Sequence, residues 1–380
     1  MIITVVFYIF VAVSVIQLCY YLFFLSFIFH KKMNKPESEQ LPISVIVCAK
    51  NESDNLKKLI PLLLNQNYAN YQLVLINDAS NDDTLSVMEK FQKKDDRIKI
   101  VNVQNNEAFW GNKKYALTLG IKAAKPEYLL FTDADCIPAS KNWILEMSSQ
   151  FSDKKLIVLG YGKYQPVKNS FINLLVRFET LLTAIQYFSY AKIGSAYMAV
   201  GRNLAYTKSE FFRVNGFIKH IQIRSGDDDL FIKDVATSSN TTIAVTADSF
   251  TISEAPKTMK AWFRQKRRHL STSSHYKVKH KFFLGLFYIS KLILLLLIPI
   301  MLIWKQETIT LSLLGSYILI NYAIIIFSAR KLKETNTVFF LPLLEIFLVL
   351  FQFAIFISNT ISKPRGKSNF FQFLIASFLV

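Results

Sequence analysis

Three short stretches of this chain carry carboxylates at spacings that chemistry can use. Phe131-Thr132-Asp133-Ala134-Asp135-Cys136 ends the apolar run Glu127-Tyr128-Leu129-Leu130. Two carboxylates one residue apart, where a buried strand emerges, can share a divalent cation, because hard ions such as Mg²⁺ and Mn²⁺ take oxygen ligands. A cation held by Asp133 and Asp135 is in turn a handle for a diphosphate; a plain turn after a strand is the alternative. Ser225-Gly226-Asp227-Asp228-Asp229-Leu230-Phe231 sets three carboxylates side by side. Crowded like charges raise at least one pKa, which suits a general base, while Asp is also favoured in the first turn of a helix. Asp78 stands in the turn Asn77-Asp78-Ala79-Ser80-Asn81-Asp82-Asp83-Thr84, placed to accept hydrogen bonds from a ribose or a base edge.

Cations accompany them. In Gly111-Asn112-Lys113-Lys114 a lysine precedes a helix, where Lys113 or Lys114 could meet a phosphate at the helix N-terminus. In Trp262-Phe263-Arg264-Gln265-Lys266-Arg267-Arg268-His269, Gln265 and Arg268 share a helix face, and Arg268 offers a guanidinium fork to phosphate oxygens. No Ser-His-Asp or Cys-His arrangement, P-loop or G-x-G-x-x-G is present. Cys19, Cys48 and Cys136 have neither disulfide nor metal spacing, as expected of a reducing compartment.

The elements that must position these groups alternate. Ile43–Ala49 is a β-branched run without clean alternation, the pattern of a strand buried on both faces of a parallel sheet. A helix over 54–64, a strand over 72–76, a helix over 84–94 and a strand over 98–103 follow. The loop from Glu107 to Asn112 and a helix through Leu117 then lead to the strand before Asp133. Such β-α-β units build an α/β fold with a mainly parallel sheet, which binds ligands at the carboxyl ends of its strands. Lys50 to Glu52, Asp78 and Asp133 to Asp135 all fall at that edge.

The rest of the 380 residues reads as membrane. Residues 1–29 carry no charged side chain and exceed the roughly 20 needed to cross a bilayer, without a basic leader or a cleavage site. They are read as a retained anchor, and 283–304, 308–328 and 337–361 as three further spans. The expected layout is an anchor over 1–30, a globular domain over 34–281 and a spanning region over 282–380. Residues 170–193, apolar at helical spacing, are read as a helix lying in the membrane interface. The net charge of +18 gathers beside the spans, at Lys31, Lys32 and Lys35 and from Arg264 to Lys281. That distribution marks a cytoplasmic face and anionic headgroups rather than nucleic acid. It puts the domain inside, with Arg330, Lys331 and Lys333 returning there. A full crossing at 337–361 would leave Lys363, Arg365 and Lys367 outside, so Pro342 and Glu345 are weighed as marks of a re-entrant or interfacial segment. Residues 369–380 are apolar and too short to cross alone.

Taken in order, the motifs resemble those of the family-2 glycosyltransferases, inverting enzymes of the type A nucleotide-sugar fold. Pro42-Ile43-Ser44-Val45-Ile46-Val47 with Lys50-Asn51-Glu52 looks like the opening strand and its turn. Asn77-Asp78-Ala79-Ser80 with Asp82 and Thr84 is similar to D-D-G-S-x-D-x-T, with Asn77 for the first aspartate and Ala79 for the glycine. Gly111 to Leu117 resembles G-K-x-x-A-L, Asp133-Ala134-Asp135 the D-x-D, and Gly201-Arg202-Asn203-Leu204-Ala205-Tyr206 the G-x-N-x-A segment near the acceptor. Gly226-Asp227-Asp228 is similar to the G-D-D element, and Gln265-x-x-Arg268-His269 to Q-x-x-R-W, with histidine for tryptophan.

The resemblance implies a UDP-sugar donor contacted by Ala49, Asn51, Glu52, Asp78, Lys113, Asp133, Gln265 and Arg268. It implies Mg²⁺ or Mn²⁺ on Asp133 and Asp135, and catalysis by Asp228 with Asp227. The layout is similar to ceramide glucosyltransferases, which act once on a membrane lipid. A lipid or lipid-linked glycan at the inner leaflet is therefore the expected acceptor. A processive polysaccharide synthase and a non-catalytic membrane scaffold are the rival readings.

Overall fold

The computed structural model describes residues 2–30, 40–104, 113–223, 225–304 and 308–361. Lys31, Lys32, Lys35, the loop from Glu107 through Gly111 to Asn112, the cations Lys363, Arg365 and Lys367, and the segment 369–380 lie outside them. The chain forms two compact units, one from Met1–His30, Pro166–Ser189 and Pro256–Val380, the other from Lys31–Gln165 and Tyr190–Ala255. This division differs from the expected single domain over 34–281, because 166–189 and 256–281 belong with the apolar helices.

The chain opens with α1 (Ile2–Ile28) and then enters the sheet unit. There β1 (Ile43–Ala49), α2 (Ser53–Leu64), β2 (Tyr71–Asp78), α3 (Thr84–Gln92), β3 (Ile98–Val103), α4 (Lys113–Ala123) and β4 (Tyr128–Asp133) alternate as the sequence predicts. These four strands are mutually parallel in the order β3-β2-β1-β4. Val45, Ile46 and Val47 of β1 are fully buried, the consequence of helices on both faces of a parallel sheet. In α2 the buried positions Leu56, Leu59, Ile60 and Leu63 repeat at helical spacing and pack on that sheet. Helix α4 lies close to it because Gly120 faces Ile76, where a Cβ would come within 2.2 Å of the Ile76 side chain.

After β4 come β5 (Cys136–Pro138), α5 (Trp143–Ser148), β6 (Ile157–Leu159), β7 (Gly162–Tyr164) and α6 (Phe171–Lys192). Then β8 (Leu204–Thr207), α7 (Lys208–Arg213), α8 (Asp229–Val235), β9 (Thr241–Ile243) and β10 (Thr251–Ser253) complete the strands. The seven-stranded sheet runs β3-β2-β1-β4-β8-β6-β9, with β8 antiparallel to both neighbours and β9 parallel to β6. Strands β5, β10 and β7 form a small second sheet.

The helical unit holds α1, most of α6, α9 (Met259–Ser273), α10 (Val278–Trp304), α11 (Thr308–Lys331) and α12 (Leu341–Ile361). Among the described residues, four helices are long and apolar enough to cross a membrane: Ile2–Ile28, Val278–Trp304, Thr308–Lys331 and Thr335–Ser358. They match the four expected spans. Glu345 does not interrupt its helix. Its carboxylate takes the Lys291 ammonium at 2.8 Å and the Asn321 amide at 3.0 and 3.1 Å, while Lys291 also donates to the hydroxyls of Tyr21 and Tyr317. α1, α10, α11 and α12 thus each contribute to one buried polar cluster, and Pro342 sits in the first turn of α12, where proline is tolerated. The features weighed as signs of a re-entrant segment have a local explanation in that pairing.

Helix α6 lacks the broad exposed apolar face of an interfacial helix: of its residues only Phe171 and Lys192 are exposed. Arg177 pairs with Glu334 at 2.5 to 2.8 Å, Glu179 pairs with Lys266, and Phe188 stacks on Phe27. Each charge on this helix inside the helical unit is buried and partnered, so α6 is a packed element of that unit.

Candidate active site

Register places the site. Ala49 lies opposite Asn77, Cys48 opposite Asp133, and Asp78 opposite Val103, so the carboxyl ends of β1, β2 and β4 share one edge. Ala49 and Asp78 are buried there.

The turns after β1 and β2 are braced against each other. Asn51, in the left-handed region at φ 57°, donates its N–H to Ser80 Oγ (3.0 Å) and accepts the Asn81 N–H on Oδ1 (2.8 Å). The Glu52 N–H donates to Thr84 Oγ1 at 2.9 Å, and Asp82 accepts the N–H groups of Ser53 and Thr84. Hydrogen bonding to Thr84 holds the Asp82 carboxyl down at about 2. Asp82 and Thr84 thereby fix the loop that presents Asp78. Ala79 adopts φ 49°, the conformation a glycine would take without strain, so the turn keeps its shape with alanine in it.

Past β4, donor atoms of Asp133, Asp135 and Cys136 all lie within 4.8 Å of one another. The two carboxylates are solvent-accessible and the thiol is buried. Burial, with Asp133 and Asp135 beside it, pushes the Cys136 thiol far above its usual range, so it stays protonated and is a poor ligand. Two hard oxygen donors at the strand end fit Mg²⁺ or Mn²⁺. Glu52 faces the same edge. Burial raises its carboxyl, the Asn55 amide opposes this, and Asp135 and Asp133 push it further up.

Lys113, the first residue of α4, links this acidic edge to the second one. Its ammonium lies 2.7 Å from Asp133 Oδ1 and 3.1 Å from Asp227 Oδ2. Burial acts to lower its pKa, but Asp133 and Asp227 outweigh it and hold the lysine charged. A small pocket beside it is lined by Cys48, Thr132, Asp133, Gly201, Tyr206 and Asp227.

The loop before α8 is built around Gly226 at φ 92°, where any Cβ would also meet Leu230 at 2.7 Å. Asp228 caps α8. Its Oδ1 accepts the Asp229 N–H at 2.7 Å and its Oδ2 the Gly201 N–H at 2.8 Å. Burial, reinforced by Asp227 and Asp229, pushes the Asp228 carboxyl up to about 8. Burial would raise Asp227 as well, but Lys113 reverses that and Lys114 adds to the effect, leaving it below the usual range. Two adjacent carboxylates are thus driven apart, one kept ionised and one made basic, which is how acid–base roles are divided on one fold. The stretch starts a helix, as one expectation has it, and within it Asp228 is the more basic of the two adjacent carboxylates.

Asp78, Lys113, Asp133, Asp135, Asp227 and Asp228 therefore all lie in the sheet unit with Ala49, Asn51 and Glu52, whereas Gln265 and Arg268 lie on α9 of the helical unit. Gly201 and Asn203, read in the sequence only as parts of a segment near the acceptor, have specific tasks. Gly201 supplies the N–H that steadies Asp228. Asn203, two residues on, is fully buried and holds Trp143, Tyr161 and Ser249 together, so it is scaffold rather than an acceptor contact.

Residues 44–209 match the sequence model of the family described as Glycosyl transferase family 2. A Haemophilus influenzae protein called an uncharacterized glycosyltransferase is 32% identical over 145 residues, 38% of this chain and 41% of its own length. The Campylobacter jejuni GalNAc(5)-diNAcBac-PP-undecaprenol beta-1,3-glucosyltransferase is 37% identical over 94 residues, 24% of this chain and 29% of its own. These matches thus span less than half of each relative. Among solved structures, the Pyrobaculum calidifontis mannosyltransferase in complex with GDP-Man and Mn²⁺ aligns with a TM-score of 0.58 at 16% identity, covering 87% of this chain and 98% of that one. At that identity the likeness speaks to fold, and the fold is the type A glycosyltransferase architecture. The segment similar to the family-2 glycosyltransferases carries β1 to β8 and the Asp133–Asp135 edge, and it ends before the Asp227–Asp228 loop.

Proposed function

We propose that this glycosyltransferase moves a hexosyl or N-acetylhexosaminyl group from a UDP-sugar to a lipid or lipid-linked glycan, inverting the anomeric carbon. The observation that carries the reading is the pairing of two acidic centres by Lys113: the Asp133–Asp135 edge suited to a cation and diphosphate, and the Asp227–Asp228 loop suited to a base. Mg²⁺ or Mn²⁺ would be held by Asp135 with Asp133, where it would neutralise charge on the departing diphosphate. Asp78, Ala49, Asn51 and Glu52 would frame the nucleoside at the same strand ends. Lys113, kept cationic by its neighbours, would add positive charge beside the diphosphate. Asp228 would take the proton of the acceptor hydroxyl as its oxygen attacks the anomeric carbon, while Asp227 stays ionised against Lys113. Gln265 and Arg268, whose guanidinium suits diphosphate oxygens, are assigned to the donor by the motif they match.

The lipid acceptor is supported by the four apolar helices, which would tie the enzyme to a membrane, and by the undecaprenol-linked acceptor in the name of the Campylobacter relative. An inner-membrane location with the sheet unit facing the cytoplasm is part of this proposal, and the lysines and arginines beside the apolar helices support it. The test is UDP release by the purified full-length protein in detergent, across a panel of UDP-sugars with Mn²⁺ or Mg²⁺, with and without a membrane lipid extract. One donor should give release that the extract stimulates and that places the sugar on a lipid. Long polymer in place of single additions would select the synthase reading, and no binding of any UDP-sugar would refute the donor assignment.

A further inference from the structure

Lys114, next to Lys113 in α4, is buried and only 1% exposed, whereas the Lys113 ammonium reaches the donor edge. The Lys114 ammonium donates to three backbone carbonyls, His220 O at 2.8 Å, Ile223 O at 3.0 Å and Ser225 O at 2.8 Å. All three belong to the segment that runs directly into Gly226, Asp227 and Asp228. An ammonium has three donor hydrogens, and here three carbonyls converge on one. Helix α4 is itself seated on the sheet through the close approach of Gly120 to Ile76, so the anchor point is rigid.

We propose that Lys114 is a positioning residue that sets where the Asp227–Asp228 pair stands relative to the strand ends. The two lysines that open α4 then have separate tasks. Lys113 reaches the carboxylates of Asp133 and Asp227 with its charge, while Lys114 ties down the backbone that carries Asp227 and Asp228. One helix terminus fixes both acidic centres, so their separation is set by a single rigid element rather than by two loops. Burial lowers the pKa of this ammonium, and the nearby Asp227, Asp229 and Asp228 oppose that shift without reversing it. Removing it would release the loop and also withdraw a positive charge from the base's surroundings.

The catalytic part of this inference rests on the reading of Asp228 as the base; the placement part does not. The test compares the full-length wild type with Lys114→Met and Lys114→Arg in detergent. Hydrogen exchange in peptides covering 218–230 should quicken about tenfold or more in the Met variant, with β1, β2 and β4 unchanged. With the donor that the wild type uses, kcat should fall about 100-fold in Lys114→Met while donor KM stays within about threefold, as expected when a group is misplaced rather than a binding site lost. The acid limb of its pH profile should move up by about half a unit, because a nearby cation no longer favours the ionised base. Lys114→Arg, which keeps charge and donors, should recover part of both the exchange protection and kcat. Unchanged exchange in 218–230, or faster exchange spread evenly over the sheet unit with an unmoved pH limb, would overturn the proposal by making Lys114 inert or merely structural. If the wild type turned over no donor, the transfer reading would fail, and the exchange result alone would still decide the placement.

Discussion

Among the described residues, the clusters around Lys113 and Lys291 both join a lysine to carboxylates, and they are built to opposite ends. Around Lys113, one ammonium meets Asp133 and Asp227, with Asp135, Asp228, Asp229 and Glu52 close by, so negative charge is in excess and partly open to solvent. Around Lys291, one ammonium meets one carboxylate, Glu345, and Tyr21, Tyr317 and Asn321 close the shell with hydroxyls and an amide. Unbalanced charge can be spent on a cation, a diphosphate or a proton. Balanced charge has nothing left to bind. The difference teaches that an ion pair is read by its surplus: the first cluster has charge left over for a ligand, and the second joins four apolar helices.

The comparison breaks most visibly if the surplus is removed. Asp135→Asn should lower transfer about 10³-fold and abolish tight Mn²⁺ binding, measured by turnover and by the electron spin resonance of free Mn²⁺. An Asp135→Asn enzyme with full metal dependence would mean the cation sits elsewhere. In the balanced cluster, Glu345→Leu strands Lys291 among apolar helices and should cost about 3 to 5 kcal/mol of stability, read by denaturation in detergent. Glu345→Leu with Lys291→Met should recover most of that loss, since an apolar pair replaces a saturated ionic one; no recovery would show that the cluster serves more than packing.

The base sharpens the contrast through pH. As the proposed base, Asp228 would act deprotonated, and its carboxyl is raised to about 8, so the transfer rate should climb with pH through about 8. The sign for stability is opposite. A carboxyl whose folded pKa lies above its unfolded value of about 3.9 favours the fold most below that value, and this contribution is lost as pH rises through about 8. Activity and stability should therefore trend against each other between neutral pH and pH 9, and an activity profile flat across that range would contradict the shift. Smallest is Ala79→Gly, which relieves a left-handed alanine worth about 1 kcal/mol against the greater freedom glycine has when unfolded, for a net gain of a few tenths.

How much of this was legible in the sequence follows from length and locality. The strands β1 to β4 were readable because each is six to eight residues of mostly apolar side chains. The later strands β5, β6, β7, β9 and β10 have three residues each, too few for any period, so they left no trace. The spans declared themselves by length, and Lys291 and Glu345 stood out as single charges within them. That they meet is a long-range fact no local pattern encodes, as is the pairing of Arg177 with Glu334 that draws α6 into the helical unit. The acidic stretches were visible as chemistry. The Lys114 contacts were not, because they end on backbone carbonyls more than a hundred residues away.

The central claim is that Asp228 is the base of a sugar transfer whose donor is held at the separate Asp133–Asp135 edge. The most direct measurement compares wild type and Asp228→Asn for donor binding by calorimetry and for transfer to lipid acceptor, each with Mn²⁺ present. The account predicts donor affinity within about threefold of wild type and transfer reduced about 10³-fold. Transfer within tenfold of wild type, or donor affinity lost together with transfer, would contradict it.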